Sequence, residues 1–213
     1  MKKIIFTSFF LIWSSSLFAQ FDISGGMGIS FVNNSSLTDY LNIYFPSSSE
    51  LGSFNSSVEF FIEGDYTLSE DFQLGVEYAY QIFSHNTQTG NSGTYDLSYG
   101  HHKPSIVGYY VVSGAGYKFK FGGGVGYRII SLDEQIFATT NYSASGLGFL
   151  LRAQGNTLLS GDLYVNVGLD LRYDLPGEPK NGNQYIVDNT INENINVNSL
   201  SVGIRVGVSY FIK

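Results

Sequence analysis

The sequence predicts an all-β chain, eight antiparallel strands running up and down and closed into a barrel that spans a membrane. Three observations predict it. Stretches of roughly ten residues recur in which apolar and polar side chains alternate, the period of a β-strand with a different solvent on each side. Between them, short turns alternate with long polar loops. An export leader opens the chain, and no later run of about twenty apolar residues could form a spanning helix.

In the leader, Lys2 and Lys3 precede the apolar run Ile4–Trp13, and Leu17-Phe18-Ala19 stands ahead of Gln20. Positive, then apolar, then a small residue is the order of a secretory signal peptide. Residues 1–19 are therefore expected to be removed, leaving 20–213 as one barrel domain. With them go Lys2 and Lys3, taking the formal charge from -7 to -9. So acidic a chain, with few clustered cations, has little to neutralise phosphates, and no nucleic acid is expected as a partner. Cysteine is absent, which excludes a disulfide framework, a thiol nucleophile and a Cys-ligated metal.

Strand one is expected at Phe21–Phe31, with Ile23, Met27 and Ile29 opposing Asp22, Ser24 and Gly28. A polar segment rich in Ser and Asn, Val32–Ser57, follows. Strand two, Val58–Tyr66, sets Val58, Phe60 and Ile62 against Glu59, Phe61, Glu63 and Asp65. After a tight connection at Thr67–Asp71, strand three, Phe72–Phe83, sets Leu74, Val76, Tyr78 and Tyr80 against Gln73, Glu77 and Gln81. A second long segment, Ser84–Pro104, holds all three histidines. Strand four, about Ser105–Val112, fits either facing.

Ser113–Gly116 turns into strand five, Tyr117–Ile130, where Phe119, Phe121, Val125 and Tyr127 oppose Lys118, Lys120 and Arg128. An outer segment at Ser131–Ser143 leads to strand six, Ala144–Gln154, whose alternation Leu150 breaks. Gly155–Gly161 turns into strand seven, Asp162–Asp174, where Val165, Val167, Leu169 and Leu171 oppose Asn166, Gly168, Asp170 and Arg172. A last long segment, Leu175–Asn198, precedes the final strand, Ser199–Phe211. All four prolines fall in loops or at a strand start, where no ladder bond is lost.

Volume decides which face points inward. Eight strands leave a lumen only wide enough for side chains to fill, and the large apolar residues of every strand would overfill it. The Gly- and Ser-rich face with a few long charged residues fits inside; the apolar face then meets lipid. Tyr66, Phe72, Tyr117 and Tyr210 at one level, and Tyr80, Tyr127 and Tyr173 at another, fit two aromatic girdles. Short turns and both termini are expected in the periplasm, the long loops outside.

The ladder Val202, Ile204, Val206, Val208 and Tyr210 resembles the C-terminal assembly signal of bacterial outer-membrane β-barrel proteins. There the aromatic is usually the last residue, whereas here Phe211, Ile212 and Lys213 follow. The mature chain as a whole resembles the eight-stranded family that includes the barrel domain of OmpA-like proteins and the small OmpX-like adhesion and resistance proteins. The resemblance implies location in the cell outer membrane, contact with outer-membrane lipid, and recognition of the last strand by the barrel assembly machinery.

Inside, Glu63, Glu77, Asp170, Arg128, Arg152, Arg172 and Arg205 are expected to form a polar network. Lone charges shielded from water would be costly, so opposite charges should pair across the lumen. Arg152 and Arg205 are expected to meet Glu63 or Glu77 near mid-height, plugging the bore.

His101-His102, with Ser98 and Ser105 nearby, invites comparison with outer-membrane lipid A deacylases, but the His-x-Ser spacing of that family is missing. Adjacent histidines in an extended chain point to opposite sides, which also disfavours a metal site. The Gly122-Gly123-Gly124 run lies inside a strand with no helix after it, so it is no phosphate loop. Nothing points to an enzyme or a cofactor. The expected function is surface interaction through the loops, with Tyr44, Tyr95, Tyr99, Tyr142 and Tyr185 as amphipathic contact candidates for an extracellular partner. A structural envelope role, or a narrow channel, is the alternative.

Overall fold

The computed structural model describes residues 21–45, 51–88, 93–190 and 192–212; the leader lies outside them. Eight long strands form the body: β1 (Phe21–Asn33), β2 (Asn55–Ser69), β3 (Phe72–Gln88), β4 (Thr94–Gly114), β5 (Tyr117–Gln135), β6 (Thr139–Ser160), β7 (Leu163–Leu175) and β8 (Ser199–Ile212). Each pairs antiparallel with its neighbours in sequence. The ring closes where β1 meets β8, from Phe21 opposite Ile212 to Asn33 opposite Leu200. At one end three two-residue turns, Glu70-Asp71, Ala115-Gly116 and Gly161-Asp162, join the strands. Gly116 and Gly161 sit at φ +80° and +58°, which a β-carbon would resist.

The apolar ladder faces outward on every strand. Met27, Ile62, Val76, Val125, Leu151, Leu169 and Ile204 are all at least half exposed, a continuous belt with no counterpart in a water-soluble domain. Tyr66, Phe72, Tyr117 and Tyr210 ring it near the short turns, and Tyr127 and Tyr173 near the other end. The facing of β4, open in the sequence, is settled: Ile106, Tyr110 and Val112 face out, while Val107, Tyr109 and Val111 are buried inside. Leu150, which breaks the pattern of β6, turns inward to join that small cluster.

Two segments expected as loops are strands. Ser84–Pro104 supplies the end of β3 and the start of β4, and Ser131–Ser143 continues β5 and β6. The alternation persists past the belt but its apolar side swaps faces. Ile82 faces out and Phe83 in; Ile129 faces out, Ile130 and Leu132 in. Outward positions there are polar, as befits a sheet that has left lipid for water.

The segment after β1 also holds a helix, α1 (Ser35–Tyr44), in place of the expected polar loop. Asn34 caps it by accepting from the Leu37 amide at 3.1 Å. Leu37, Tyr40, Leu41 and Tyr44 recur at helical spacing, and Leu37, Tyr40 and Leu41 are buried. Pro46 follows closely in sequence, disfavouring further helix. The helix lies across the long-loop mouth on an apolar core made with Tyr95, Leu97, Tyr99, Ile130 and Leu132 of the extended strands. Ile186, Ile195 and Val197 of the last loop complete it.

Candidate functional site

The lumen is a stack of three charged layers beneath that apolar cap. Nearest the short turns, Lys118 Nζ lies 2.8 Å from Asp22 and Lys120 Nζ 2.5 Å from Asp65. Gln73 donates to Asp22 at 2.8 Å, and the Lys118 ammonium also sits 3.9 Å above the Phe211 ring.

At mid-height Glu77 is the hub. Its Oε2 takes both Arg152 and Arg205 at 2.5 Å, and its Oε1 takes Arg172 at 2.8 Å. Arg152 also binds Asp170 through two nitrogens, each at 2.7 Å, and pairs with Glu63. Tyr109 donates to Glu63 at 2.9 Å. The Arg205 guanidinium lies 3.2 Å from the Phe61 ring centroid, an apolar residue on the inner face of β2. Arg172 links upward to Glu59 at 3.2 Å. In the top layer Lys103 reaches Glu59 at 3.2 Å and Asp174 at 3.5 Å, and Arg128 pairs with Asp174.

The sequence-expected residues Glu63, Glu77, Arg152, Asp170, Arg172 and Arg205 thus converge on one layer, with Arg128 one layer above. Lys103 and Asp174 join the network from outside that expected set. Lys103 lies in a segment whose composition predicts a loop, and the polar run from His101 to Ser105 carries no apolar alternation to betray its facing; only the folded strand shows every second residue buried. Inward glycines make the room: a β-carbon on Gly168 would stand 2.9 Å from Arg205 Cγ, and one on Gly122 would collide with the Tyr109 ring.

Asp22, Glu59, Glu63, Asp65, Glu77, Asp170 and Asp174 oppose Lys103, Lys118, Lys120, Arg128, Arg152, Arg172 and Arg205, so the charges buried in the lumen cancel. Every lysine and arginine in the described residues except Lys180 is spent there. On the loop side, Asp39, Asp96, Asp133, Glu178 and Glu193 leave that surface acidic, while Glu134 and Asp188 are buried in the cap.

The loop tyrosines divide. Tyr95 and Tyr99 are buried, at 0% and 8% exposure, which corrects the expectation that they present rings to a partner: the inward face above the belt is apolar, and they form its core. Phe45 stacks on Tyr95 with centroids 3.5 Å apart. Tyr44 and Tyr142 pack against the same core, and Tyr44 donates to Asp188 at 3.0 Å. Only Tyr185 of the five is well exposed. His101 points inward and His102 outward, where its Nδ1 lies 2.6 Å from the Tyr78 hydroxyl. Among the described residues no three metal-ligating side chains cluster.

Tyr40 and Tyr95 both donate to Glu134 Oε1 at 3.0 Å. Burial first, and the Glu134 charge second, raise both phenols far above the ordinary value. Burial lowers His85, beneath Phe45. Above pH about 10 the unfolded cap releases phenol protons that the folded cap retains, so cap stability falls as pH rises. Below pH about 6.5 the unfolded cap binds a proton that folded His85 refuses, so stability falls again. Limited proteolysis of the helix segment should therefore be slowest between those limits and accelerate on both sides; a rate flat across them would contradict the assignment.

No family model matches the sequence, and no curated protein matches it. Solved structures do. The attachment invasion locus protein Ail of Yersinia pestis, crystallised with the heparin analogue sucrose octasulfate, aligns at 10% identity and TM-score 0.56, covering 91% of this chain and 99% of that one. A major outer membrane protein of Thermus thermophilus aligns at 15% identity and TM-score 0.53, covering 91% and 99%. Neisserial surface protein A aligns at 13% and 0.51, covering 89% and 96%. The chain has the fold of small eight-stranded outer-membrane β-barrels.

Proposed function

We propose that the chain is a non-enzymatic surface protein of the bacterial outer membrane, whose loop-side extension contacts an extracellular partner while the lumen stays closed. Export by a cleaved leader and assembly through β8 belong to the same reading. In its support, the outward ladder of β8 is exposed and forms the seam with β1.

The observation that carries the proposal is the hairpin tip between β5 and β6. These strands run well past the belt, braced by the cap, and end on Ile136 and Phe137, exposed at 45% and 87%. Two large apolar side chains on a water-exposed tip lie outside both buried clusters, and such exposure marks interaction sites. A double Ile136→Ser, Phe137→Ser variant displayed on cells should lose most adhesion while keeping its folded, heat-modifiable form; adhesion equal to the parent would sink the proposal. The acidic surface also sets the partner's chemistry. Ail was crystallised with a heparin analogue, but here Lys180 is the sole described cation on the loop side, so a neutral or basic partner fits better than a sulfated polysaccharide.

A further inference from the structure

The loop joining β5 to β6 is Ile136-Phe137-Ala138, closed by the last rung of the hairpin, Gln135 opposite Thr139. All three loop residues are apolar and exposed. Short hairpin loops ordinarily carry Gly, Asn, Asp or Ser, which satisfy the turn and keep it soluble. Here the turn is made of side chains that water disfavours. From Gln135 to Asn141 the chain carries no charge, only amides and hydroxyls beside the apolar tip. Below the tip the hairpin is tied to the cap: Ile130 and Leu132 belong to its core, and Glu134 accepts from both Tyr40 and Tyr95. The tip is thus presented already ordered, so meeting a partner costs little further ordering.

Size decides what that partner is. A tip of three residues offers roughly 300 Å², whereas each side of a stable protein interface gives up about 800 Å². The neighbouring outward positions, Asp96, Ser98, Asp133 and Asn141, are polar, so the apolar area ends at the tip. A bilayer asks for no such area. Each apolar side chain that passes below the headgroups is stabilised on its own, and many copies on one cell add their weak contacts together. Gln135 and Thr139 then lie at headgroup level, where an amide and a hydroxyl find partners.

We propose that this tip inserts into the membrane of a facing cell, and that the lipid it enters is zwitterionic. The proposal rests on the tip being the adhesive element, as argued above. The tip points away from its own belt, so its own bilayer is out of reach. Charge selects the lipid. Asp96 lies opposite Gln135 on the last rung and Asp133 opposite Asn141, with Asn86 and Asn141 donating to the two carboxylates. They form an acidic collar just below the apolar residues. An anionic surface is repelled by that collar, whereas a zwitterionic one of no net charge is not.

Trp13 is the only tryptophan, so the barrel folded from residues 20–213 has none, and Phe137→Trp places a single reporter at the tip. This variant, held in an uncharged amphipathic polymer in place of detergent, is mixed with vesicles of phosphatidylcholine brominated along the acyl chains. Its emission should move to the blue and be strongly quenched, since bromine quenches only at contact. Ile136→Ser in the same background should weaken vesicle binding about tenfold, the worth of one large apolar side chain left in water. At low salt, brominated phosphatidylglycerol should quench several-fold less, and the gap should close at high salt. Absence of quenching by phosphatidylcholine would overturn the insertion, and equal quenching by both lipids at low salt would overturn the charge selection. Cell adhesion of the double serine variant is scored separately. Adhesion lost without any quenching leaves the tip as a contact but makes its partner a protein; adhesion kept removes the adhesive reading itself.

Discussion

Glu77→Gln should lower the unfolding free energy of the barrel by about 3–5 kcal/mol, the usual cost of removing one partner from a buried ion pair. The residue is 0% exposed and receives three guanidiniums. Glutamine keeps the shape but leaves the lumen with one uncompensated positive charge. Arg205→Gln should cost less, because Glu77 then retains Arg152 and Arg172. The double variant should recover part of the loss by restoring neutrality. Urea unfolding from lipid vesicles reads all three; an unchanged midpoint for Glu77→Gln would remove the hub from the account.

The second large effect belongs to the cap. Leu41 is 1% exposed at the centre of the outer core, where Leu→Ala alone typically costs about 2–5 kcal/mol and a carboxylate costs more. Leu41→Asp should therefore unfold the helix and expose loop one to protease within minutes, while the barrel keeps its heat-modifiable mobility. It should also leave the bilayer silent. With the apolar lid gone, the charged layers still fill the bore, so neither the parent nor this variant should pass steady current. Stable single-channel steps from the parent would show the lumen to be a pathway, and steps from Leu41→Asp alone would make the cap a gate.

What could be read in the sequence follows the solvent. Within the belt each strand separates lipid from a narrow polar lumen, so one face is wholly apolar and the alternation is plain, as in β7 and β8. The convergence of Arg152, Arg205, Glu63 and Glu77 was legible for the same reason: lone charges on the inner face have only each other. Beyond the belt the contrast reverses. Tyr95, Leu97 and Tyr99 keep the phase of Lys103 and Ser105 but bury apolar side chains, while Ser84, Asn86 and Ser98 face water, and a pattern that changes sides resembles a loop. The helix was hidden differently. Its capping Asn34 and the Leu37, Tyr40, Leu41 spacing were present, but short polar residues around them suggested solvated coil. Tyr95 and Tyr99 illustrate the general difficulty, since an amphipathic ring suits a partner's surface and a protein's own core equally well.

The cap also decides what an immune system could see of this molecule. Its outer surface is assembled from chain segments far apart: the Asn196 amide donates to Ser36 at 3.0 Å, and Tyr44 reaches both Asp188 and Thr190. The helix turns Ser35, Asp39 and the half-exposed Ile43 outward while Leu37 and Leu41 are hidden beneath it. A linear peptide copied from residues 35–45 would present those leucines and lack the strands that order it. Antibodies raised against such a peptide should recognise the denatured chain and miss the living cell, whereas those raised against the folded barrel should bind a discontinuous epitope that boiling destroys.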